Sequence, residues 1–418
     1  MEFNRSIKVS LLFAIAVTSL FVSPGAGQKN VTLKEAVDIA LENNLKVKSA
    51  KLKEKYRQAM VNTSAAMQPL SVSTTLGQFN SAYFDTGIGL SQTFLLPKVY
   101  RAKKEAGLAD VRTAEFLTNL TGAELKRELE DHFDVFGMLQ ARKILLVQLD
   151  SIYSAMEAKA KVRWEKGESD ILEHLTARRQ RDEVRRQLEL LSGESAALLI
   201  SVNLLLNAPE GQYQPEVGDY RPVAVDIPVT DGWIAGHPEV LLAEEEWKAG
   251  VARTSVEKAA RLPGITAGYQ NLSIRGTGAD NKVYTAARRF SNFQLGVSVP
   301  IFRKGINAGI EASRAAEDIL SNQLETTRNQ IAGDYNKCLD LYRVAYRSLL
   351  EYEQGSLRDA ATIMQVSSQR LASGAINYLE YVQLTTLATD IRARHIDLIR
   401  TVNTNAVRLH YLTNQFKF

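Results

Sequence analysis

Arg163-Trp-Glu-Lys-Gly167-Glu-Ser-Asp170-Ile-Leu172-Glu173 is matched further along by Arg370-Leu-Ala-Ser-Gly374-Ala-Ile-Asn377-Tyr-Leu379-Glu380, with Arg, Gly, Leu and Glu at the same spacing (370 − 163 = 380 − 173 = 207). Gly89-Leu90-Ser91 recurs as Gly296-Val297-Ser298 at that same offset of 207. An offset held from one pair to the other means that the intervening chain was copied without net insertion, so the chain is a tandem duplication. Each half must then supply an equivalent piece of one architecture.

The 418 residues are 45% hydrophobic, and 51 basic side chains nearly balance 47 acidic ones, for a net charge of +4. That balance gives no reason to expect nucleic acid as a partner. Arg5 and Lys8, the apolar run Val9 to Val22 and the small residues after it predict an export signal over residues 1–27, cleaved between Gly25 and Gly27. No later segment reads as apolar enough for a membrane helix. The single cysteine, Cys338, leaves no disulfide and no cysteine zinc cluster, and none lies at the end of the leader to carry a lipid. An exported chain without staples must be held by extensive packing or by oligomerisation.

The first repeat is read over residues 28–206 and the second over 231–418, with a linker or belt at 207–230. Thr32-Leu-Lys-Glu35 has the capping-box pattern and predicts a helix from there to Met67. Its counterpart starts at Gly236-His237-Pro238-Glu239 and runs to Arg261. Helical periodicity then gives way to alternation in two hairpins, 69–95 and 263–302. In the first, Leu70, Val72, Thr74 and Leu76 lie on one face, followed by Ile88, Leu90 and Phe94, and in the second Phe293, Leu295, Val297, Val299 and Ile301 alternate. Strands of about ten residues have the length of a tilted transmembrane strand. Aligning Pro69 with Pro263 (263 − 69 = 194) leaves 13 extra residues in the second hairpin, read as an exposed loop at 275–289. Two proline-free stretches follow, 98–166 and 303–373, each predicting a helix of about 100 Å. Ile331, Tyr335, Cys338, Tyr342, Ala345, Leu349 and Tyr352 form a coiled-coil seam in the second. After Gly167 and Gly374 the chain returns in helices of about half that length, at 169–206 and 377–415. Stacked on the helix before each hairpin, these match the long rod. Between the halves, residues 207–229 hold four of the ten prolines.

Leu33-Lys-Glu-Ala-Val-Asp-Ile-Ala-Leu-Glu-Asn-Asn44, His237-Pro-Glu-Val240, Val297-Ser-Val-Pro-Ile-Phe302 and both Gly-x4-Leu-Glu turns, in this order, resemble the TolC-type outer-membrane efflux proteins. The resemblance covers essentially the whole mature chain. It implies a mixed α and β, mainly α fold: long antiparallel coiled-coil helices form a periplasmic α-barrel, and four strands per chain contribute to a 12-stranded transmembrane β-barrel in a homotrimer. It further implies a Gram-negative outer membrane, contact with its lipid, a periplasmic membrane-fusion adaptor and an inner-membrane pump of the resistance–nodulation–division class. Tyr378-Leu-Glu-Tyr-Val-Gln383 is similar to outlets that accompany heavy-metal pumps. The same fold also serves type I protein secretion, which neighbouring genes would distinguish, and a periplasmic coiled-coil scaffold or adaptor is the reading from another class.

In the resembled family, acidic residues just beyond the turns ring a constricted periplasmic tip. The matching positions are Glu380 and Glu173, with Asp170, Asn377 and Gln383 on neighbouring turns. Three Glu380 carboxylates around one axis would favour cations. The alternative is that these acids serve helix starts, where the dipole favours them in any case. Arg163, Gly167, Glu168, Arg370, Gly374 and Ala375 are the candidate tip turns and adaptor-docking residues, with the two glycines ending the rods in left-handed conformation and the two arginines either suiting the helix C-termini or pairing across helices. His132, His174, His237, His395 and His410 show no ligand spacing, the methionines no cluster, and no nucleotide loop or nucleophile elbow is present. No enzyme, metal site or cofactor is expected.

Overall fold

The computed structural model describes residues 29–79, 82–226 and 231–415; the leader at 1–27 lies outside them. In chain order the elements are β1 (Lys29–Val31), α1 (Leu33–Asn43), α2 (Leu45–Ser64), β2 (Ser71–Gly77), β3 (Asp85–Leu95), α3 (Pro97–Glu165), α4 (Ile171–Leu205), β4 (Tyr213–Pro215), a 3-10 turn (Asp231–Gly236), α5 (Pro238–Ala259), β5 (Gly264–Ser273), β6 (Gly276–Thr277), β7 (Val283–Tyr284), β8 (Arg289–Ser298), α6 (Lys304–Gln354), α7 (Ser356–Ala372) and α8 (Tyr378–Thr413). They fall into two compact units. One comprises the chain up to Leu45, Glu124–Ile227 and Tyr335 onward, the other Lys46–Ala123 and Pro228–Asp334.

In the first unit the linker is fastened by two buried asparagines, one on each return helix, both 1% exposed. Asn203 of α4 donates from Nδ2 to the Tyr213 carbonyl and accepts the Tyr213 N–H on Oδ1, each at 2.9 Å. This holds β4, which pairs in parallel with β1. Asn403 of α8 accepts the Val223 N–H at 2.8 Å and donates to the Arg221 carbonyl and to Asp134 Oδ1. Arg400 donates to Asp134 and, at 2.9 Å, to Asp131. The Tyr220 ring lies so close to Gly137 that a Cβ there would come within 2.9 Å of it. The belt expected as a plain linker is therefore a strap with its backbone groups satisfied by side chains.

The second unit holds one antiparallel sheet in the order β2-β3-β5-β8. Its register pairs Leu90 with Val72 and Tyr269, and Tyr269 with Phe293. The expected alternation of faces is thus continuous across both hairpins.

Several sequence expectations are corrected. The helix predicted from Thr32 to Met67 breaks at Asn44, whose backbone is extended (ψ 131) and whose buried amide donates to the Leu205 carbonyl at 2.8 Å, and the helix ends at Ser64. That same bond joins the end of α1 to the end of α4, in line with the stacking inferred from helix lengths. The rod predicted over 303–373 is interrupted at Gly355, and α7 starts there without a side-chain cap. The first rod, α3, is unbroken for 69 residues. The seam from Ile331 to Leu349 is buried as expected, and Ala360 and Ser367 continue it. Between Tyr352 and Ala360 it steps by four twice, a stutter that locally unwinds a coiled coil and coincides with the break. The loop at 275–289 folds partly into the β6–β7 ribbon, and β8 stops at Ser298, short of Pro300, which cannot donate to a ladder. Finally, α4 contains an 18-residue window of mean hydropathy 1.4, apolar enough by composition to cross a membrane, with 22% of it buried within the chain.

Replacing Asn403 with alanine leaves the Val223 N–H and Asp134 Oδ1 without their partner, which costs about 2–3 kcal/mol. We expect faster chymotryptic cleavage after Tyr220 in Asn403→Ala than in the parent protein; equal cleavage rates would contradict the strap's dependence on this side chain.

Candidate functional site

The duplicated motif is a helix-reversing turn, and each shared residue has a place in it. Gly167 and Gly374 both adopt φ +73, the left-handed conformation that a Cβ disfavours. In the first copy Glu168 N–H donates to the Arg163 carbonyl and Gly167 N–H to that of Trp164; in the second, Ala375 N–H donates to Arg370 and Gly374 N–H to Leu371. This is the Schellman pattern, with the arginine at the first of the terminal carbonyls that lack a donor within the helix. Three residues past each glycine comes the N-cap of the return helix, Asp170 or Asn377. These two also stand 207 apart (377 − 170), an equivalence the identities alone leave out.

The candidate acids then part company. Asn377 Oδ1 accepts the Glu380 N–H at 2.8 Å, and Glu380 Oε2 accepts the Asn377 N–H at 2.9 Å, a reciprocal capping box. Asp170 Oδ1 accepts from Leu172 N–H instead, which leaves Glu173 to receive Arg163 Nη1 at 3.1 Å. Arg163 therefore pairs within its own turn. Arg370 is exposed and has no ion-pair partner among the described residues. Glu168, Ala375 and Gln383 are exposed, the last one turn beyond Glu380. The structure thus brings together Arg163 with Glu173 and Asn377 with Glu380.

Beside these turns lies a packed cluster that sequence reasoning missed. Tyr378, Tyr381 and Val382 at the start of α8 are buried against Leu149, Tyr153, Met156 and Ala160 of α3 and Ala177 and Val184 of α4. Tyr153 and Thr386 share a hydroxyl–hydroxyl bond of 3.1 Å, and Arg181 donates to Glu157 at 2.6 Å. The Tyr378 hydroxyl has no partner among the described residues, and burial, aided by the charge of Glu173, pushes its pKa well above the ordinary phenol range. Trp164 and His174 stack at 5.9 Å with rings 4° from parallel. Their positions in the other copy, 207 residues on, are Leu371 and Tyr381, so the offset was the signal that could have found this second layer.

The sheet of the second unit has two chemically distinct faces. One carries Val72, Leu76, Ile88, Leu90, Phe94, Ile265, Phe293, Leu295 and Val297, with Phe293 86% and Leu295 79% exposed. The other carries Ser71, Ser73, Thr75, Ser91, Thr93, Thr266, Gln270, Asn292, Gln294 and Ser298 with six glycines, Gly77, Gly87, Gly89, Gly264, Gly268 and Gly296, and with Leu95, Leu272 and Phe290 towards the strand ends. Between these strand ends that second face has no charged side chain except Asp85, which is fully buried and accepts from Ser273 Oγ at 2.8 Å. An apolar face exposed opposite a neutral polar one is the pattern of a barrel wall between lipid and water.

Residues 232–415 match the outer membrane efflux protein family. The second repeat is an outer membrane efflux protein domain. The whole chain shares its fold with CusC, solved in a study of transmembrane channel formation (TM-score 0.78, 18% identity, covering 94% of this chain and 95% of that one). The Campylobacter jejuni CmeC outer membrane channel is similar (0.76, 14%, 91% and 85%), as is the Vibrio cholerae outer membrane protein VceC (0.73, 12%, 91% and 95%). No curated protein sequence matches the chain significantly. The TolC-type reading is borne out by the family match over residues 232–415 and by the fold over the whole chain, and with it the outer membrane, reaching into the periplasm, as the location and a channel as the class. No group of metal-ligating side chains occurs among the described residues.

Two tyrosines separate packing from polar pairing at the tip. Tyr153→Phe gives up the bond to Thr386 and is expected to lower stability by about 0.5–1.5 kcal/mol, whereas Tyr378→Phe removes a buried hydroxyl with no partner and should be neutral or stabilising. Thermal unfolding of the two variants checks this; a larger loss for Tyr378→Phe would mean that its hydroxyl is paired in the assembled protein.

Proposed function

We propose that three copies close into a 12-stranded barrel and an α-helical tunnel, the passive exit duct of a tripartite efflux pump. The observation that carries this reading is the four-stranded sheet with both outer strands, β2 and β8, unpaired. Open edges cannot stand in hydrocarbon, because each free N–H and C=O would cost several kcal/mol. Pairing β8 of one copy with β2 of the next removes every edge, and the neutral polar face then lines the lumen. The same assembly would cover Leu190 (70% exposed), Ile200 (49%) and Leu204 (75%) on the apolar stretch of α4.

In this reading the tip turns form the inner end of the duct, where Glu168, Arg370 and Ala375 are free for a periplasmic adaptor and an inner-membrane pump of the resistance–nodulation–division class delivers the cargo. Opening moves the start of α8 away from α3 and α4, which means withdrawing Tyr378 and Tyr381 from the cluster. With the barrel face uncharged, charge selection falls to the tip, where the second oxygen of Glu380 is left over from the capping box. A heavy-metal cation is the proposed cargo, on the resemblance of Tyr378 to Gln383 to metal-pump outlets. Three of those six residues are buried packing residues, so cargo recognition is assigned to the pump.

Glu380→Gln keeps a capping-box side chain but removes the charge. In planar bilayers we expect it to lower the cation-over-anion permeability ratio by about twofold or more while leaving the unfolding temperature unchanged. An unaltered ratio would reduce Glu380 to a helix cap. Cells lacking the gene should become more sensitive to copper or silver but not to organic dyes, and the reverse pattern would reassign the cargo.

A further inference from the structure

The register stacks the residues of the apolar sheet face in rows, and at the hairpin end those rows stop being apolar. Moving away from the helices, the row of Leu90, Tyr269 and Phe293 is followed by Ile88, Asn271 and Ser291, and then by Leu76, Thr86, Ser273 and Arg289. Over β5 and β8 the face thus passes from hydrocarbon to hydroxyls, an amide and a guanidinium. Arg289 stands on the same face as Phe293 and Leu295, four and six positions before them on one strand.

These polar groups hold one another in place. Arg289 donates from Nε to Asn271 Oδ1 at 2.6 Å, from Nη2 to the Asn271 carbonyl at 2.7 Å and from Nη1 to Thr86 Oγ1 at 2.8 Å. Asn271 Nδ2 donates in turn to Ser291 Oγ at 3.0 Å, and Ser291 shares a hydroxyl–hydroxyl bond of 2.9 Å with Tyr269. A guanidinium carries five N–H donors in one plane. Three of them are committed to the sheet, which fixes the plane, and the other two are left over on a half-buried residue with no ion pair among the described residues. The longer tip of the second hairpin adds charge at the same end: residues 275–289 contain Arg275, Lys282, Arg288 and Arg289 against one acid, Asp280. The shorter tip at 78–84 contains no charged residue, so the cations came with the insertion. Arg288 is exposed, its guanidinium 5.3 Å from the centroid of the Tyr284 ring, and the pairing of exposed Lys282 with Asp280 is long, at 3.7 Å.

We propose that Arg289, framed by Thr86, Asn271, Ser291 and Tyr269, binds a sugar phosphate of the glycolipid that fills the outer leaflet of an outer membrane, lipopolysaccharide. The helices lie on the periplasmic side, so this end of the sheet is the outer one. From Arg289 to Val297 the strand advances eight residues, about 27 Å at about 3.4 Å each, or about 20 Å of height once tilted by about 40°. That is close to the height of a barrel's apolar band, about 25 Å, and puts Arg289 at the level of the outer headgroups. The two remaining N–H groups of Arg289 donate to the phosphate in charge-assisted bonds, while the hydroxyls and amide around it suit the hydroxyls of a sugar. Phe293 and Leu295, below them on the same face, meet the acyl chains, and Lys282 and Arg288 strengthen the attraction for lipid charge. The inference rests on the sheet closing in a membrane with its apolar face outward, as proposed above.

The test uses the full-length mature protein purified in detergent, with its oligomeric state and membrane fractionation measured first, so that failure to assemble is seen separately from failure to bind lipid. Lipid A carrying both phosphates and lipid A stripped of them are then titrated, and bound lipid is counted by native mass spectrometry. The phosphorylated form should be retained about fivefold more or better, and Arg289→Gln should abolish that preference. Arg303→Gln, at an exposed cation beyond the inner end of β8, should leave it intact. Should Arg289→Gln not assemble, K282Q/R288Q, both at exposed positions of the tip, should weaken retention about twofold or more. The proposal is overturned if the assembled variants retain phosphorylated lipid A as the parent does or if the stripped form is held equally. It is overturned as well if phosphatidylglycerol competes mole for mole, which would make this a general anionic-lipid surface, or if millimolar inorganic phosphate displaces the lipid, which would make it a free-anion site.

Discussion

The constraint on which everything else depends is that four strands with one apolar face cannot end in hydrocarbon. β2 and β8 each present a row of unpaired backbone groups, and no other segment of the described chain covers them. Water cannot satisfy these groups on the side where Phe293 and Leu295 are exposed, and a single chain is too short to close on itself. In the proposed reading, assembly is therefore a requirement of the backbone before it is a matter of side-chain affinity. The helices are tied to it most closely at β3, which passes into α3 with one residue between them.

Much of this was legible because it is local. Alternation in Phe293-Gln-Leu-Gly-Val-Ser298 fixes which face is apolar whatever the partner strand, and a glycine after a long proline-free helix marks a reversal that its φ of +73 then satisfies. What stayed hidden is bonding between residues distant in sequence. Asn44 breaks a helix of good periodicity because its amide meets the carbonyl of Leu205, 161 residues away. Asn203 and Asn403 look like ordinary polar residues of helices, yet each is buried and holds part of the linker. The β1–β4 ladder is three residues long on each side and parallel, too short for any periodicity to show.

The break at Gly355 is intermediate between these cases. The seam that leads to it was read correctly as far as Leu349, and its continuation through Ala360 and Ser367 required noticing that two steps of four follow one another. The first rod has glutamine, Gln148, at the equivalent position (355 − 207 = 148) and runs unbroken. Around the break, Tyr352 donates to the Ile391 carbonyl at 3.2 Å and His395 meets Glu353 at 2.9 Å, so α8 is tied to the helix just above the interruption. Below it, α7 and α8 form a hairpin of their own. The duplication has thus yielded one stiff rod and one jointed one.

The same divergence explains why acids at equivalent positions differ in role. In both copies a glutamate occupies the third residue of the return helix, where the dipole and the first-turn N–H groups favour it. With aspartate as the N-cap, Glu173 is released to bind Arg163 and is only 18% exposed in its side chain. With asparagine as the N-cap, Glu380 takes the cap and Arg370 is left unpaired. One carboxylate oxygen of Glu380 is committed to its own helix while the other remains available, so its orientation is set by the fold and its charge is not neutralised by a neighbouring arginine. In the proposed duct, a fixed and uncompensated carboxylate at the end of the jointed hairpin is better placed to act on passing ions than a paired one at the end of the rigid rod, which is why the proposal assigns the two copies unequal parts.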